Sequence, residues 1–293
     1  MIVVIVGPTG IGKTKLSIEL AKHYNTEIIS GDSVQVYKGL DIGSGKVTKD
    51  EQQGIKHHLI DILDPSESFS VALYQKLVRD KIEEFTNKSK TPLIVGGTGL
   101  YIKSVLFDYN FKDTKRDESK LSIYNDFSNE ELHKVLEQKD LLSANNIHKN
   151  NRKRVLQALN RADENKMSEN ISKDVPLYDF KIIGLTLERE KLYEIINKRV
   201  DKMLEEGLIN EVKNLYDKGI NSYSLSAIGY KELIKYFNDE WTLEEAIDKI
   251  KQHSRNLAKK QFTFFNNQFD VNWVTVDLND FSNTVNDALQ ILK

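Results

Sequence analysis

The sequence predicts an α/β fold: a parallel sheet flanked by helices, interrupted by an α-helical insertion. Three observations predict it. Short apolar runs alternate with amphipathic stretches at the start of the chain, the order expected of successive βα units. A glycine-rich segment, Gly7-Pro8-Thr9-Gly10-Ile11-Gly12-Lys13-Thr14, separates the first such run from the first such stretch. A polar, charge-rich middle, residues 112–176, holds no convincing strand and divides this beginning from a second β signal at 180–187.

Taken in order, Ile2–Val6 is an unbroken apolar run and is expected as a strand buried on both faces. Residues 13–24 are expected as a helix, 27–30 as a strand and 58–63 as a further candidate strand. A helix over 70–86, a strand over 92–95 and a helix beginning at Gly99 follow. In the polar middle, 130–142 and 147–162 have helical character. That middle reads as an inserted helical domain or as a polar surface excursion of the same domain. Beyond the β signal, Leu192, Ile195, Ile196, Val200, Met203 and Leu204 recur at helical spacing, with Gly207 where a helix C-terminus favours glycine. Residues 241–265 form a late helix, opened by Thr242 and Glu245 at capping-box spacing, and 273–276 a last strand. The expected organisation is a core of residues 1–111 and 179–293 carrying C-terminal helices, with 112–178 as the insertion. There is no internal repeat and no low-complexity tract.

The chain has 293 residues, 39% hydrophobic and 29% charged, which suits a soluble globular protein with a sizeable core. No run of about 18 apolar residues is present, so no membrane span is expected. The apolar start is too short, and lacks the basic lead, for a secretory signal. With no cysteine, disulfides, thiolate zinc sites and a cysteine nucleophile are excluded, and a cytoplasmic location fits. The formal charge of −2 means that any nucleic-acid surface must come from local asymmetry.

Gly7 through Thr14 fits G-x-x-x-x-G-K-[ST] without a mismatch, in its proper setting between a strand and a helix. The fold class is therefore that of a P-loop NTPase-like sheet. The glycines let backbone N–H groups converge on phosphate oxygens, Lys13 adds positive charge, and the Thr14 hydroxyl is a candidate Mg²⁺ ligand. Such a loop recognises a phosphoanhydride, of ATP or of another diphosphate. An ordinary ATPase carries a second acid at the end of a later strand. Here 92–95 runs into Gly96-Gly97-Thr98-Gly99, and only the poorly patterned segment with Asp61 offers one.

In a doubly wound sheet, loops at the strand carboxyl ends line one crevice. Asp32 follows the second strand and Thr98 a later one, so both are expected near the phosphate loop. Asp32 also reads as a turn residue and Thr98 as a helix N-cap. His57 and His58 are strand neighbours pointing to opposite faces, a poor zinc pair.

Gly7 through Thr14, then Gly31-Asp32-Ser33-Val34-Gln35-Val36-Tyr37-Lys38-Gly39-Leu40-Asp41-Ile42-Gly43, then His57-His58-Leu59-Ile60-Asp61, then Gly96-Gly97-Thr98-Gly99-Leu100-Tyr101, resemble the successive motifs of tRNA dimethylallyltransferases. Ala227 through Glu232 and Arg255 through Thr263 resemble that family's later motifs, so the resemblance spans nearly the whole chain. It implies transfer of the dimethylallyl group of dimethylallyl diphosphate to N6 of the adenosine just 3′ of the anticodon. It makes Asp32 the catalytic acid–base residue, Thr98 its active-site partner and Asp32-Ser33-Val34-Gln35 a tRNA-contacting stretch. The loop, Lys13 and Mg²⁺ would then hold a diphosphate leaving group, and the helical insertion would grip the anticodon arm of the tRNA. A monomer is expected.

Cations suited to RNA include Arg152 and Arg154 in the insertion, Lys231, and Lys251, Arg255 and Lys259 at i, i+4, i+8 of the late helix. Such a stripe also suits a solvated face, and Gln35 is either a base reader or a loop glutamine. Gln157, Asn160, Ser226, Phe264 and Asn266 depart from the family pattern. The alternatives are an ATP-dependent small-molecule or nucleoside kinase, and a nucleotide-controlled RNA-binding module without catalysis.

Overall fold

The structure, a computed structural model, describes residues 1–109, 122–163, 172–220 and 223–293. The chain folds as two compact units, Met1–Leu106 with Pro176–Lys293, and Phe107–Val175. The expected boundary between residues 111 and 112 lies outside the described residues.

The chain opens with β1 (Ile2–Val6), α1 (Lys13–His23), β2 (Ile28–Ser30), the single turn α2 (Lys49–Gln52), β3 (His57–His58), α3 (Val71–Asn87), β4 (Leu93–Gly96) and α4 (Gly99–Leu106). Then come β5 (Phe107–Tyr109), α5 (Asn129–Lys139), α6 (Leu141–Asn146), α7 (Arg152–Asp163) and β6 (Ser172–Pro176). It closes with β7 (Phe180–Thr186), α8 (Arg189–Glu205), α9 (Leu208–Asp217), α10 (Tyr230–Phe237), α11 (Leu243–Gln268), β8 (Asn272–Thr275) and α12 (Phe281–Leu292).

Six strands pair in the order β3-β2-β4-β1-β7-β8, parallel throughout. β1 lies inside the sheet, with Val4 facing Ile94 of β4 and Ile182 of β7. That position explains why Ile2–Val6 is apolar without alternation: all five side chains are buried. Leu16 and Ile18 of α1, Leu192 and Ile196 of α8, Ala258 of α11 and Ala288 and Leu292 of α12 join Val3, Ile5, Leu93, Ile183 and Val274 in one core. The order β2-β4-β1 brings three strand carboxyl ends side by side, and each leads into a loop singled out in the sequence.

Several elements differ from their expected extents. The strand expected over 58–63 stops at His58, because Leu59 and Asp61 adopt left-handed φ of 61° and 55°. The chain turns back there, and the Asp61 and Ile62 amides donate to the Gln35 and Val36 carbonyls. The helix expected over 130–142 breaks at Asp140, whose Oδ1 accepts from the Ser143 amide (2.9 Å) and so caps α6. The helix expected from 147 begins at Arg152. Ser172–Pro176 is a strand despite its polar sequence, because β5 supplies the pairing partner. Gly207 takes φ 103° just past α8, the conformation its position anticipates.

In the second unit, Tyr124, Leu132, Leu136, Ala144, Val155, Ala158 and Leu159 form a core of their own. Asp140→Ala removes the α6 cap and is expected to destabilise this unit by about 1–2 kcal/mol, read by urea unfolding.

Candidate active site

Backbone geometry builds the phosphate loop. Gly7 leaves β1 at φ 144°, with the Leu185 carbonyl 3.0 Å from where a Cβ would stand. Gly12 holds the N-cap of α1 in the left-handed region and caps no amide with a side chain. The first N–H groups of α1 are therefore free for an anion. Lys13 curls back over the loop, and its Nζ donates to the carbonyls of Gly7 (2.9 Å) and Pro8 (2.7 Å). Burial, reinforced by the charge of Arg199 and opposed by that of Asp32, lowers the Lys13 pKa to about 7.

Asp32 stands one loop away. Its Oδ1 accepts from the amides of Val34 (2.8 Å) and Gln35 (3.2 Å), the turn geometry anticipated for Gly-Asp-Ser. Oδ2 has no partner among the described residues. Thr98 is tied to the same place through the backbone. β2 and β4 approach so closely that a Cβ on Gly96 would lie 2.3 Å from the Gly31 carbonyl oxygen. The Gly31 amide donates to Val95 (2.7 Å) and the Thr98 amide to Gly31 (3.3 Å). The Thr98 carbonyl starts α4, accepting from Tyr101 and Ile102, while its hydroxyl makes no hydrogen bond to a described residue.

These loops border a cavity of about 760 Å³. Thr9, Gly10, Gly12, Lys13 and Thr14 line one side, and Asp32, Ser33, Val34 and Gln35 another. Gly7, Pro8, Ile11 and Thr98 are not themselves lining residues but adjoin residues that are. Gln35 is engaged internally, donating from Nε2 to Gly45 (3.2 Å) and accepting from the Ser30 hydroxyl (3.5 Å). Asp61 receives Lys46 at 2.5 Å, so its carboxylate is occupied by a lysine that is itself buried.

Arg199 and Gln261 were not assigned a role from the sequence, although Gln261 falls within the Arg255–Thr263 stretch. Arg199 of α8 reaches the cavity, makes no hydrogen bond or ion pair with any described residue, and presses its Nη2 against Gly45. Burial draws its pKa below the ordinary arginine value, with Asp32, Glu51 and Glu206 pulling the other way. The signal was available, since Arg199 interrupts the apolar face made by Leu192, Ile196 and Met203. Gln261 of α11 donates to the Gly97 carbonyl (3.1 Å), and its buried Oε1 has no partner among the described residues. It buttresses the turn that carries Thr98.

The cations expected to face RNA divide into two groups. Arg152 directs its guanidinium to the carbonyls of Tyr124 (2.8 Å), Asn125 (3.1 Å) and Phe127 within its own unit. The late-helix stripe zips α11 to α8: Lys251 pairs with Asp201 (2.5 Å), and Arg255 donates to Asn197 (2.6 Å) beside the Tyr193 ring. Arg154 and Lys259 are exposed, and so is Lys231, 3.7 Å from buried Glu232. Phe264 packs over Gly99, while Asn266 accepts from the Trp273 indole (2.9 Å). Asn160 is buried with Oδ1 unpartnered, Gln157 is exposed, and Ser226 lines the cavity. His57 bonds the Ile55 carbonyl and His58 the Glu27 carboxylate (2.7 Å), two separate environments. Among the described residues no helix is long and apolar enough to cross a membrane.

The model of the IPP transferase family matches residues 35–268. A tRNA dimethylallyltransferase of Bacillus pumilus is 52% identical, covering 93% of this chain and 88% of that one. The enzyme of the same name from Anoxybacillus flavithermus is 49% identical over all of this chain and 96% of its own. The crystal structure of a Staphylococcus epidermidis tRNA isopentenylpyrophosphate transferase is 44% identical, with a TM-score of 0.75 over 99% of this chain and 98% of that one. A eukaryotic dimethylallyltransferase described as acting on tRNA is 27% identical, with a TM-score of 0.83 over 99% of this chain and 77% of its own.

Lys13 gives a pH signature. Its folded pKa of about 7 lies below the unfolded value of 10.5, so between them the unfolded chain binds more protons. Stability of the ligand-free protein is therefore expected to rise as pH climbs from about 7 towards 10 through this group. Lys13→Met should flatten that rise in thermal unfolding curves. Binding of inorganic diphosphate should take up a proton in the same window, read calorimetrically in buffers of different ionisation enthalpy.

Proposed function

Since this chain belongs to the IPP transferase family, with tRNA dimethylallyltransferases as its relatives over full length, we propose that it moves the dimethylallyl group of dimethylallyl diphosphate to N6 of the adenosine 3′-adjacent to the anticodon of tRNA. The observation that carries the reading is the joint placement of a phosphate loop, a half-buried arginine without a described partner and a turn-held carboxylate around one cavity. The kinase alternative is not favoured.

Adenine N6 is a poor nucleophile, because its lone pair is delocalised into the ring, and it must lose a proton as it attacks. In the proposed reaction N6 forms a bond to the allylic carbon while the carbon–oxygen bond to diphosphate breaks. The bonding pair leaves with the diphosphate, and the N6 proton passes to Asp32, whose backbone bonds leave one oxygen without a protein partner. The amides of Gly7 through Thr14, Lys13 and Arg199 would meet the charge that grows on the departing oxygen. Thr98, set beside Asp32 by the Gly31–Gly96 contact, would orient the incoming base.

The donor set fits Mg²⁺ carried by the diphosphate. Thr14 lines the cavity with a hydroxyl free of described partners, a hard oxygen ligand, and the substrate's own oxygens would complete the shell. The ion would supply further charge neutralisation for the leaving group. Ser33, Val34 and Gln35 would approach the base, with Gln35 releasing Gly45 to do so. Arg154, Lys231 and Lys259 would contact RNA phosphates, while Arg152 and Arg255 would shape the surfaces that present them. A monomer with one complete site per chain is the form we propose, and a tRNA substrate supports a cytoplasmic location.

Purified protein given radiolabelled dimethylallyl diphosphate and an anticodon stem-loop should label the RNA without ATP. Labelling of none, with ATP turnover on a small alcohol instead, would promote the kinase. Asp32→Ala should lower the rate by roughly two to four orders of magnitude while RNA affinity stays near wild type. Arg199→Ala should raise KM for dimethylallyl diphosphate by about tenfold to a hundredfold, as loss of a charge-assisted hydrogen bond does.

A further inference from the structure

The loop after β2 carries a clamp that the catalytic scheme does not use. The Glu211 carboxylate, on α9, accepts from three successive backbone amides: Asp41 (2.9 Å), Ile42 (2.8 Å) and Gly43 (3.0 Å). The Tyr230 hydroxyl, at the start of α10, donates to the same carboxylate at 2.7 Å. The Tyr230 ring lies so close to Gly43 that a Cβ there would stand 2.5 Å from it. One anion and one ring thus hold a short stretch of loop from both sides. The pinned stretch continues directly into the cavity wall. The Gly45 amide donates to Ile42 (2.9 Å), Gly45 accepts from Gln35, and the Arg199 guanidinium lies where a Gly45 side chain would be.

We propose that Glu211 is a positioning residue for diphosphate binding: by gathering the amides of Asp41, Ile42 and Gly43 it fixes Gly45, and through Gly45 it fixes Arg199. This rests on the prenyl-transfer reading of the cavity. Glutamine in place of Glu211 cannot accept from all three amides and the tyrosine, because its NH₂ group only donates. The loop then loses its register, and a small displacement of Arg199 is costly to a charged ligand. Arg199 has no described partner of its own to hold it, so the loop backbone is what defines its place.

The test has two arms, and the first does not depend on turnover. In the ligand-free protein, Glu211→Gln should speed hydrogen exchange of the 41–45 amides by about tenfold or more, with the sheet amides unchanged. In the second arm, KM for dimethylallyl diphosphate and the dissociation constant of inorganic diphosphate should both rise about tenfold to a hundredfold, while KM for the anticodon stem-loop stays put. The Glu211→Gln and Arg199→Ala costs should combine to much less than their sum, because one acts through the other. Should Glu211→Gln fail to fold, Tyr230→Phe carries the same measurements with smaller shifts of the same sign. Unchanged exchange at 41–45 overturns the proposal, as does full additivity with Arg199→Ala or an equal loss for both substrates. If the wild-type protein transfers no dimethylallyl group while the exchange and diphosphate results hold, the prenyl reading fails and the clamp stands.

Discussion

The site depends on two strands meeting where neither has a side chain. Gly31 directly follows β2 and Gly96 ends β4, and their backbones touch so closely that no Cβ fits on Gly96. The contact sets the level at which both strands stop. From that level Asp32 enters one loop and Thr98 another, one amide-to-carbonyl bond apart through Gly31. The phosphate loop leaves β1, the next strand over, so sheet order turns three distant sequence segments into one constellation. Gln261 reinforces it from α11, lying over Gly97 where a larger residue would exclude it.

Charge is distributed around the cavity in a way that makes sense for an anionic ligand. Two cations, Lys13 and Arg199, are partly drawn out of water at the cavity; the Arg199 charge lowers the Lys13 pKa, while Asp32 compensates both in part. Lys13 finds only neutral carbonyls of its own loop, and Arg199 finds no described partner. Partly desolvated charges left without a counter-charge are unfavourable by themselves. A diphosphate would satisfy both, along with the uncapped amides of α1. Asp32 meanwhile spends one oxygen on the backbone that aims it. The same segment that presents Asp32 and Gln35 runs on to the stretch gripped by Glu211 and Tyr230, so loop shape and ligand charge are joined physically.

The cations away from the cavity carry a different lesson. Lys251, Arg255 and Lys259 share one stripe of α11, and from spacing alone that stripe serves RNA or solvent equally well. Two of the three face α8 instead, because Asp201, Asn197 and Tyr193 run past them in the antiparallel direction. Arg152 likewise donates to backbone carbonyls in its own unit. Spacing along a helix says which cations share a face, and only the neighbouring helix says what that face meets.

By itself the sequence determined whatever is encoded in contiguous residues. Ile2–Val6 read as a buried strand because its apolar run is unbroken. Gly7 through Thr14 read as a phosphate loop because backbone conformation there is dictated by glycines at fixed offsets. The long helices read from their periodicity. Tertiary structure alone decided what depends on distant partners. Leu59 and Asp61 took left-handed conformations because the chain had to fold back onto Gln35 and Val36. Ser172–Pro176 became a strand because β5 was there to pair with it. Arg199 and Gln261 reached the cavity because α8 and α11 pack over the sheet, and Glu211 found its three amides across a gap of about 170 residues in sequence. Local propensity acts over a few residues, whereas burial and hydrogen-bond partnership are settled only when remote segments meet.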